Sequence, residues 1–180
     1  MPRSDAQRNY ARILAVAAQE VADHGADASL EQIARTAGVG SATVRRHFPS
    51  RRALLDAVFR ERVDALDGRA LELADADDPR AALLDWLTAL TEYAASARGM
   101  AAALIQDEEP DREHVCVRLT DAGAPLLRRA IAAGAVAAGV TSADLVAVVT
   151  GIVLATEHGR DPAGEALRLL GLAVRGISPS

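Results

Sequence analysis

The sequence predicts an all-α chain of about nine helices, with a small helix-turn-helix head of three helices ahead of a larger helical body. Three observations predict it. Half of the residues are hydrophobic, yet there are only one Trp, two Tyr and two Phe, so the core must come from Leu, Val, Ile and Ala. Ala and Leu are strong helix formers. Few stretches alternate with period two, whereas apolar residues recur at helical spacing between Gly, Pro and Ser/Asp boundary signals.

The first helix is expected from Asp5 to His24, where Ile13, Leu14, Ala17 and Val21 share one face and Gly25 ends it. Ser29 opens "SLEQ", a serine followed three residues later by glutamine, which is a capping-box pattern. A short helix from Leu30 to Ala37 follows, closed by Gly38, and another begins at Gly40 or Ser41 and ends before Pro49. The fourth starts at Ser50 or Arg51 and carries Leu54, Leu55, Val58, Phe59, Val63 and Leu66 on one side.

After the polar break "ADADDPR", Pro79 suits the first turn of a fifth helix, with Asp77 or Asp78 as its cap and Leu83, Leu84, Leu87, Leu90 and Tyr93 along it. A short sixth helix is expected over Met100 to Gln106 and a seventh from Arg112 to Gly134, kinked at Gly123 and Pro125. The last two are expected from Ser142 to His158 and from Pro162 to Gly176. Domain boundaries follow: residues 1–50 as the head, 51–67 as a connecting helix and 68–180 as the body.

The net charge of −5 hides an asymmetry: residues 1–52 hold eight Arg against five Asp/Glu, whereas residues 53–180 hold twelve Arg against twenty. A basic head that binds an anion and an acidic body that does not is the plain implication. Every basic residue is arginine. Codon bias accounts for that, yet it makes every cation a planar fork suited to phosphate or a base edge.

Two short helices joined by the tight "AGVGS" turn form a helix-turn-helix pattern, whose second helix enters the DNA major groove. With the core direction between Val44 and Phe48, and about 100° per residue, Arg46 points almost directly outward. Ala42 and Thr43 flank that direction, and Ser41 opens the helix. Arg46, Ala42 and Thr43 are therefore expected to face base edges, since Arg reads guanine bidentately and methyl groups suit thymine. Arg45 and His47 project sideways toward the two phosphate walls. Arg51 and Arg52 open the next helix, where backbone N–H groups also favour phosphate.

The stretch "ILAVAAQEVADHGADASLEQIARTAGVGSATVRRHFPSRRALLDAVF" resembles the N-terminal DNA-binding domain of the tetracycline-repressor (TetR) family. The resemblance rests on "IL.AA" in the first helix, the Gly25 turn, "IA..AGV" from Ile33 to Val39, Thr43, His47-Phe48, "PS" and "LL..V", and covers roughly residues 8–60. The sequence departs from the family at Arg45, often Tyr; at Arg51, often Lys; at Ala42, often Gly; and at Gly40, often Ser. The first two keep a phosphate role open, and all four bear on which operator is read.

The resemblance implies a C-terminal ligand-binding and dimerisation domain. Its apolar pocket would lie between the fifth to seventh helices, with Trp86, Leu90, Tyr93, Met100, Leu104 and Cys116 as candidates and ordinary core packing as the alternative. It also implies a homodimer through the last two helices, over Leu145–Ala155 and Leu167–Val174, reading a near-palindromic double-stranded operator. Leu145, Val148, Val149, Ile152, Ala155, Leu167, Leu170 and Val174 are the apolar residues on offer, with an intrachain core stripe as the alternative. The implied function is a repressor released by a small apolar ligand. The alternatives are a dimeric DNA-binding regulator governed by a protein partner or its own level, and an all-α enzyme.

Other chemistry finds little support. Cys116 is the single cysteine, so neither an intramolecular disulfide nor a Cys-based zinc site can form, and no catalytic residue is expected. "DEEPDREH" matches no metal-ligand spacing and reads as a solvated acidic loop. No cofactor is expected. His24 and His158 read as helix-end caps. The longest apolar run, Leu145 to Thr156, falls short of the roughly 20 residues of a membrane span, so a cytoplasmic protein is expected.

Overall fold

A computed structural model describes residues 3–24, 28–96 and 111–177, with side chains over 7–24, 28–96 and 117–176. Every regular element among them is an α-helix: α1 (Arg3–His24), α2 (Leu30–Thr36), α3 (Ser41–His47), α4 (Arg51–Leu73), α5 (Pro79–Ser96), α6 (Asp111–Ala132), α7 (Ser142–Thr156) and α8 (Pro162–Ile177). The helix expected over Met100 to Gln106 lies outside the described residues, as does Gly25.

The chain divides into two compact units. The first comprises the described residues up to Glu61, with Ser96. Its core joins Ile13, Leu14, Ala17 and Val21 of α1 to Ile33 and Ala34 of α2, Val44 of α3 and Leu54, Leu55 and Val58 of α4. Phe48, just past α3, is 2% exposed and closes the same cluster.

The turn between α2 and α3 needs a glycine. Gly38 sits at φ +63°, a left-handed conformation that costs a side-chain-bearing residue about 1–2 kcal/mol. There Val39 N–H donates to Ala34 O at 3.0 Å and Gly38 N–H to Arg35 O at 3.2 Å, satisfying carbonyls that the end of α2 would leave open. At the start of α2 the capping box is only half local. Ser29 Oγ accepts from Gln32 N–H at 3.2 Å, but the Gln32 side chain turns away to Thr36. Glu20 of α1 takes the Ser29 N–H instead, at 3.3 Å.

The second unit comprises the described residues of 62–95 and 111–177. α4 does not stop at residue 67 as expected but continues through Gly68 to Leu73. A glycine inside a helix costs only about 1 kcal/mol, and Leu66 and Ala70 are buried on either side of it. Arg129 of α6 closes the end of α4, its guanidinium donating to Ala76 O at 2.7 Å and to Ala74 O. A cation and a cluster of open carbonyls suit each other at a helix C-terminus.

Asp78 caps α5, its Oδ1 accepting from Arg80 N–H at 2.9 Å and Ala81 N–H at 3.0 Å. α6 is continuous through Gly123 and Pro125 and ends at Ala132, short of the expected Gly134, which stands in the following turn at φ +71°. Thr141 and Asp144 form a complete capping box at α7. Ion pairs tie these helices on their solvent side. Arg69 of α4 meets Asp85 of α5 at 2.7 Å, and Arg118 of α6 meets Asp64 and Asp67 of α4.

Candidate nucleic-acid interface

α3 is a seven-residue helix whose N-cap, Gly40, offers no side-chain hydrogen bond. Its position is fixed by one buried axis: Val44 is fully buried and Phe48 is 2% exposed. Opposite that axis Ala42 and Arg46 are exposed, with Thr43 half-buried beside them, and Ser41 is exposed in the first turn. The short outward face thus offers one guanidinium fork and two methyl-bearing side chains.

The flanks are occupied. Arg45 extends from α3 to α2, where its Nη2 lies 3.0 Å from Glu31 Oε1. The Glu31 carboxyl is held below the usual carboxylate range, first by the backbone N–H of Glu31 itself and then by the Arg45 guanidinium. On the other flank the half-buried His47 ring meets Tyr10 of α1 edge-on, with centroids 5.8 Å apart. Tyr10 in turn lies 5.3 Å from Phe48, so α1 supports the end of α3 through an aromatic trio.

α4 opens directly beyond this face. Ser50 Oγ accepts from Ala53 N–H at 3.1 Å, capping the helix that carries Arg51 and Arg52. Arg51 is exposed, while Arg52 is half-buried and lies 3.9 Å from Asp56 one turn on. One short segment therefore brings together all eight residues singled out from the sequence.

Sequence reasoning missed Glu31 and Tyr10. Glu31 reads locally as an acidic first-turn residue, a dipole complement to α2. Only its opposite charge to Arg45, fourteen residues on, hints at the pair. Tyr10 precedes Ile13, Leu14 and Ala17 by three, four and seven residues, so the helical spacing that marks the apolar stripe of α1 could have found it.

The candidate ligand region is less open. Trp86, Leu90 and Tyr93 are buried, at 1%, 3% and 8% exposure. The indole Nε1–H donates to Leu66 O of α4 at 3.1 Å. Burial pushes the Tyr93 phenol up, against the opposing charge of Arg62. Met100 and Leu104 lie outside the described residues, and so does the side chain of Cys116. A separate cleft of about 320 Å³ runs along α4 and α6, lined by Asp67, Ala70, Leu71, Ala74, Arg118, Asp121, Ala122 and Pro125.

On the last two helices the apolar residues divide. Leu145, Val149, Leu170 and Val174 are buried within this chain, whereas Val148, Leu154 and Leu172 are 42%, 60% and 46% exposed. The available apolar surface is thus shifted around α7 from Leu145 and Val149 toward Val148 and Leu154. Among the described residues no cluster of His, Cys, Asp and Glu could hold a metal ion, and no helix is long and apolar enough to cross a membrane.

Residues 13–58 match the family described as bacterial regulatory proteins, tetR family. Residues 78–179 match the family described as the C-terminal domain of SbtR-like transcriptional regulators. No curated protein matches the chain. A TetR transcriptional regulator from Streptomyces coelicolor, known from its crystal structure, is 35% identical over 95% of this chain and 99% of its own, with a TM-score of 0.75. A TetR regulatory protein from Mycobacterium vanbaalenii is 31% identical over 98% of this chain and 99% of its own, with a TM-score of 0.71. NalD, the secondary repressor of a multidrug efflux pump in Pseudomonas aeruginosa, shares the fold at 22% identity, covering 99% of this chain and 100% of its own, with a TM-score of 0.55.

Proposed function

Because the chain belongs to the tetR family of bacterial transcriptional regulators, we propose that it is a dimeric repressor, released from its operator by a small apolar ligand. The observation that carries the DNA-binding half is the outward face of α3. Ala42 and Arg46 stand exposed on the side away from the fully buried Val44, and Ser41 is exposed at the start of the helix. Arg46 is the guanine reader, Ala42 and Thr43 meet base-edge methyl groups, and Ser41, Arg45, His47, Arg51 and Arg52 address the backbone. The −5 net charge does not oppose this, because the basic surplus is concentrated in residues 1–52.

Dimerisation is supported by the exposed Val148, Leu154 and Leu172 on the last two helices, which are three of the six large apolar residues exposed among the described ones. Two heads related by a twofold axis read half-sites of a near-palindrome, spaced by about one helical turn or a multiple of it. The ligand half of the proposal is supported by the match of residues 78–179 to the C-terminal domain of SbtR-like regulators. Release by the ligand requires that it bind the DNA-incompetent state more tightly.

Gel-shift titration on the DNA flanking the gene tests the first half, with a sequence-preferring complex at moderate salt as the expected result. Failure to prefer any flanking segment over random duplex would sink it. A thermal-shift screen of apolar metabolites tests the second half, since a ligand of the native state raises the melting temperature. A clean negative over a broad library would leave a regulator governed by a protein partner or its own level.

A further inference from the structure

Arg45 and Glu31 are the only flank of the recognition helix joined by an ion pair among the described residues, at 3.0 Å between Nη2 and Oε1. The pair lies outside the core: the side chains are 64% and 62% exposed. The fold of the head does not depend on it, because α2 and α3 are already held by Ile33, Ala34, Val44 and Phe48. It therefore calls for an explanation other than packing.

The chemistry of the two partners supplies one. A guanidinium fork binds carboxylate and phosphate with the same planar, two-pronged geometry. Arg45 is adjacent in sequence to Arg46, the outermost residue of α3, so the carboxylate that holds it lies at the edge of the surface offered to DNA. For Arg45 to grip a phosphate it must first give up Glu31. That exchange leaves a carboxylate with no cation beside a polyanion.

We propose that Glu31 is an intramolecular phosphate mimic, which occupies Arg45 in the DNA-free head and thereby sets the affinity for duplex and its salt dependence. The proposal rests on the DNA-binding reading above. Its physical content is competition: Arg45 contributes less to encounter with arbitrary DNA than its exposure suggests, because each such contact replaces a bond already made. Phosphate contacts carry no sequence information, so a brake on one of them acts first on non-specific binding.

The test is a double-mutant cycle with purified full chain. Wild type, Glu31→Gln, Arg45→Ala and the double variant are titrated by fluorescence anisotropy against a random-sequence duplex, at several salt concentrations between about 50 and 200 mM. Circular dichroism melts of all four confirm folding, and both sites are exposed enough for the variants to fold. Glu31→Gln is expected to tighten binding about three- to fivefold and to steepen the salt dependence toward one further released counterion, a slope change of about 0.9. The gain is expected to vanish in the Arg45→Ala background.

An unchanged or weaker Glu31→Gln complex beside a binding wild type overturns this proposal alone. An equal gain with and without Arg45 also overturns it, because the effect is then plain charge repulsion. Absence of duplex binding by all four proteins overturns the DNA-binding reading, and this proposal with it.

Discussion

The six-membered ring of Trp86 lies against Gly123: a Cβ built on residue 123 would stand 2.7 Å from Cζ3 of the indole and 2.8 Å from Cη2. The ring cannot retreat without breaking its bond from Nε1 to Leu66 O, and the residue is 1% exposed. Gly123→Ala is therefore expected to destabilise the protein by about 1–3 kcal/mol. The better helix propensity of Ala, worth about 1 kcal/mol, offsets only part of this. Urea unfolding followed by fluorescence of Trp86, the single tryptophan, measures it; a stability equal to wild type would show that the indole has room to move.

Arg46 and Arg51 are assigned different work, and binding data can separate them. Arg46→Ala is expected to cost about 1–3 kcal/mol on the operator and to relax base preference at one position. Arg51→Ala should weaken all duplexes alike and flatten the log–log salt slope by about 0.9. A uniform loss from Arg46→Ala would mean that the outward face of α3 is not the reading face.

Gly40 is an N-cap without a side chain, at φ −67° and ψ 145°. Any residue adopts that conformation, and a Cβ there would meet nothing within 4 Å. Gly40→Ser adds an oxygen that can accept an open N–H in the first turn of α3. A gain of a few tenths of a kcal/mol is expected, read as a rise in melting temperature of about 1–2 °C. A lower melting temperature would show that the turn from Gly38 needs freedom at both glycines.

Burial holds the Tyr93 phenol well above its usual range. A phenol in the unfolded chain ionises near pH 10, about where a free tyrosine does, while the folded one stays neutral to higher pH. Above about pH 10 the unfolded state then binds fewer protons than the folded state, so stability falls as pH rises, by up to about 1.4 kcal/mol per unit. The absence of lysine removes the groups that usually obscure this range. Urea unfolding between about pH 9 and pH 11 should show the decline in wild type and a flatter profile in Tyr93→Phe. Equal slopes for the two would count against a buried neutral phenol.

What could be read from the sequence was what periodicity and local chemistry encode. Val44 and Phe48, spaced by four, define the buried side of α3, and the all-helical architecture followed from many such spacings. Contacts between elements left weaker traces. Gly123 looked like a kink because a glycine inside a helix usually weakens it, yet here its missing side chain makes space for Trp86 from another helix. α7 defeated periodicity for a different reason. "LVAVVTGIVLA" is apolar on every side, so spacing could not tell the buried Leu145 and Val149 from the exposed Val148 and Leu154. Glu31 was hidden because its pairing with Arg45 depends on how two helices cross.

The cap of α2 is shared between two parts of the chain, with Ser29 supplying the acceptor and Glu20 of α1 receiving the Ser29 N–H. This makes the reading motif a poor cassette. Residues 28–48 grafted onto another scaffold would carry the recognition residues but leave the carboxylate behind, and Tyr10, which supports His47, would stay behind with it. Any chimera meant to exchange operator preference has to transplant α1 as well, or rebuild its two contacts on the host.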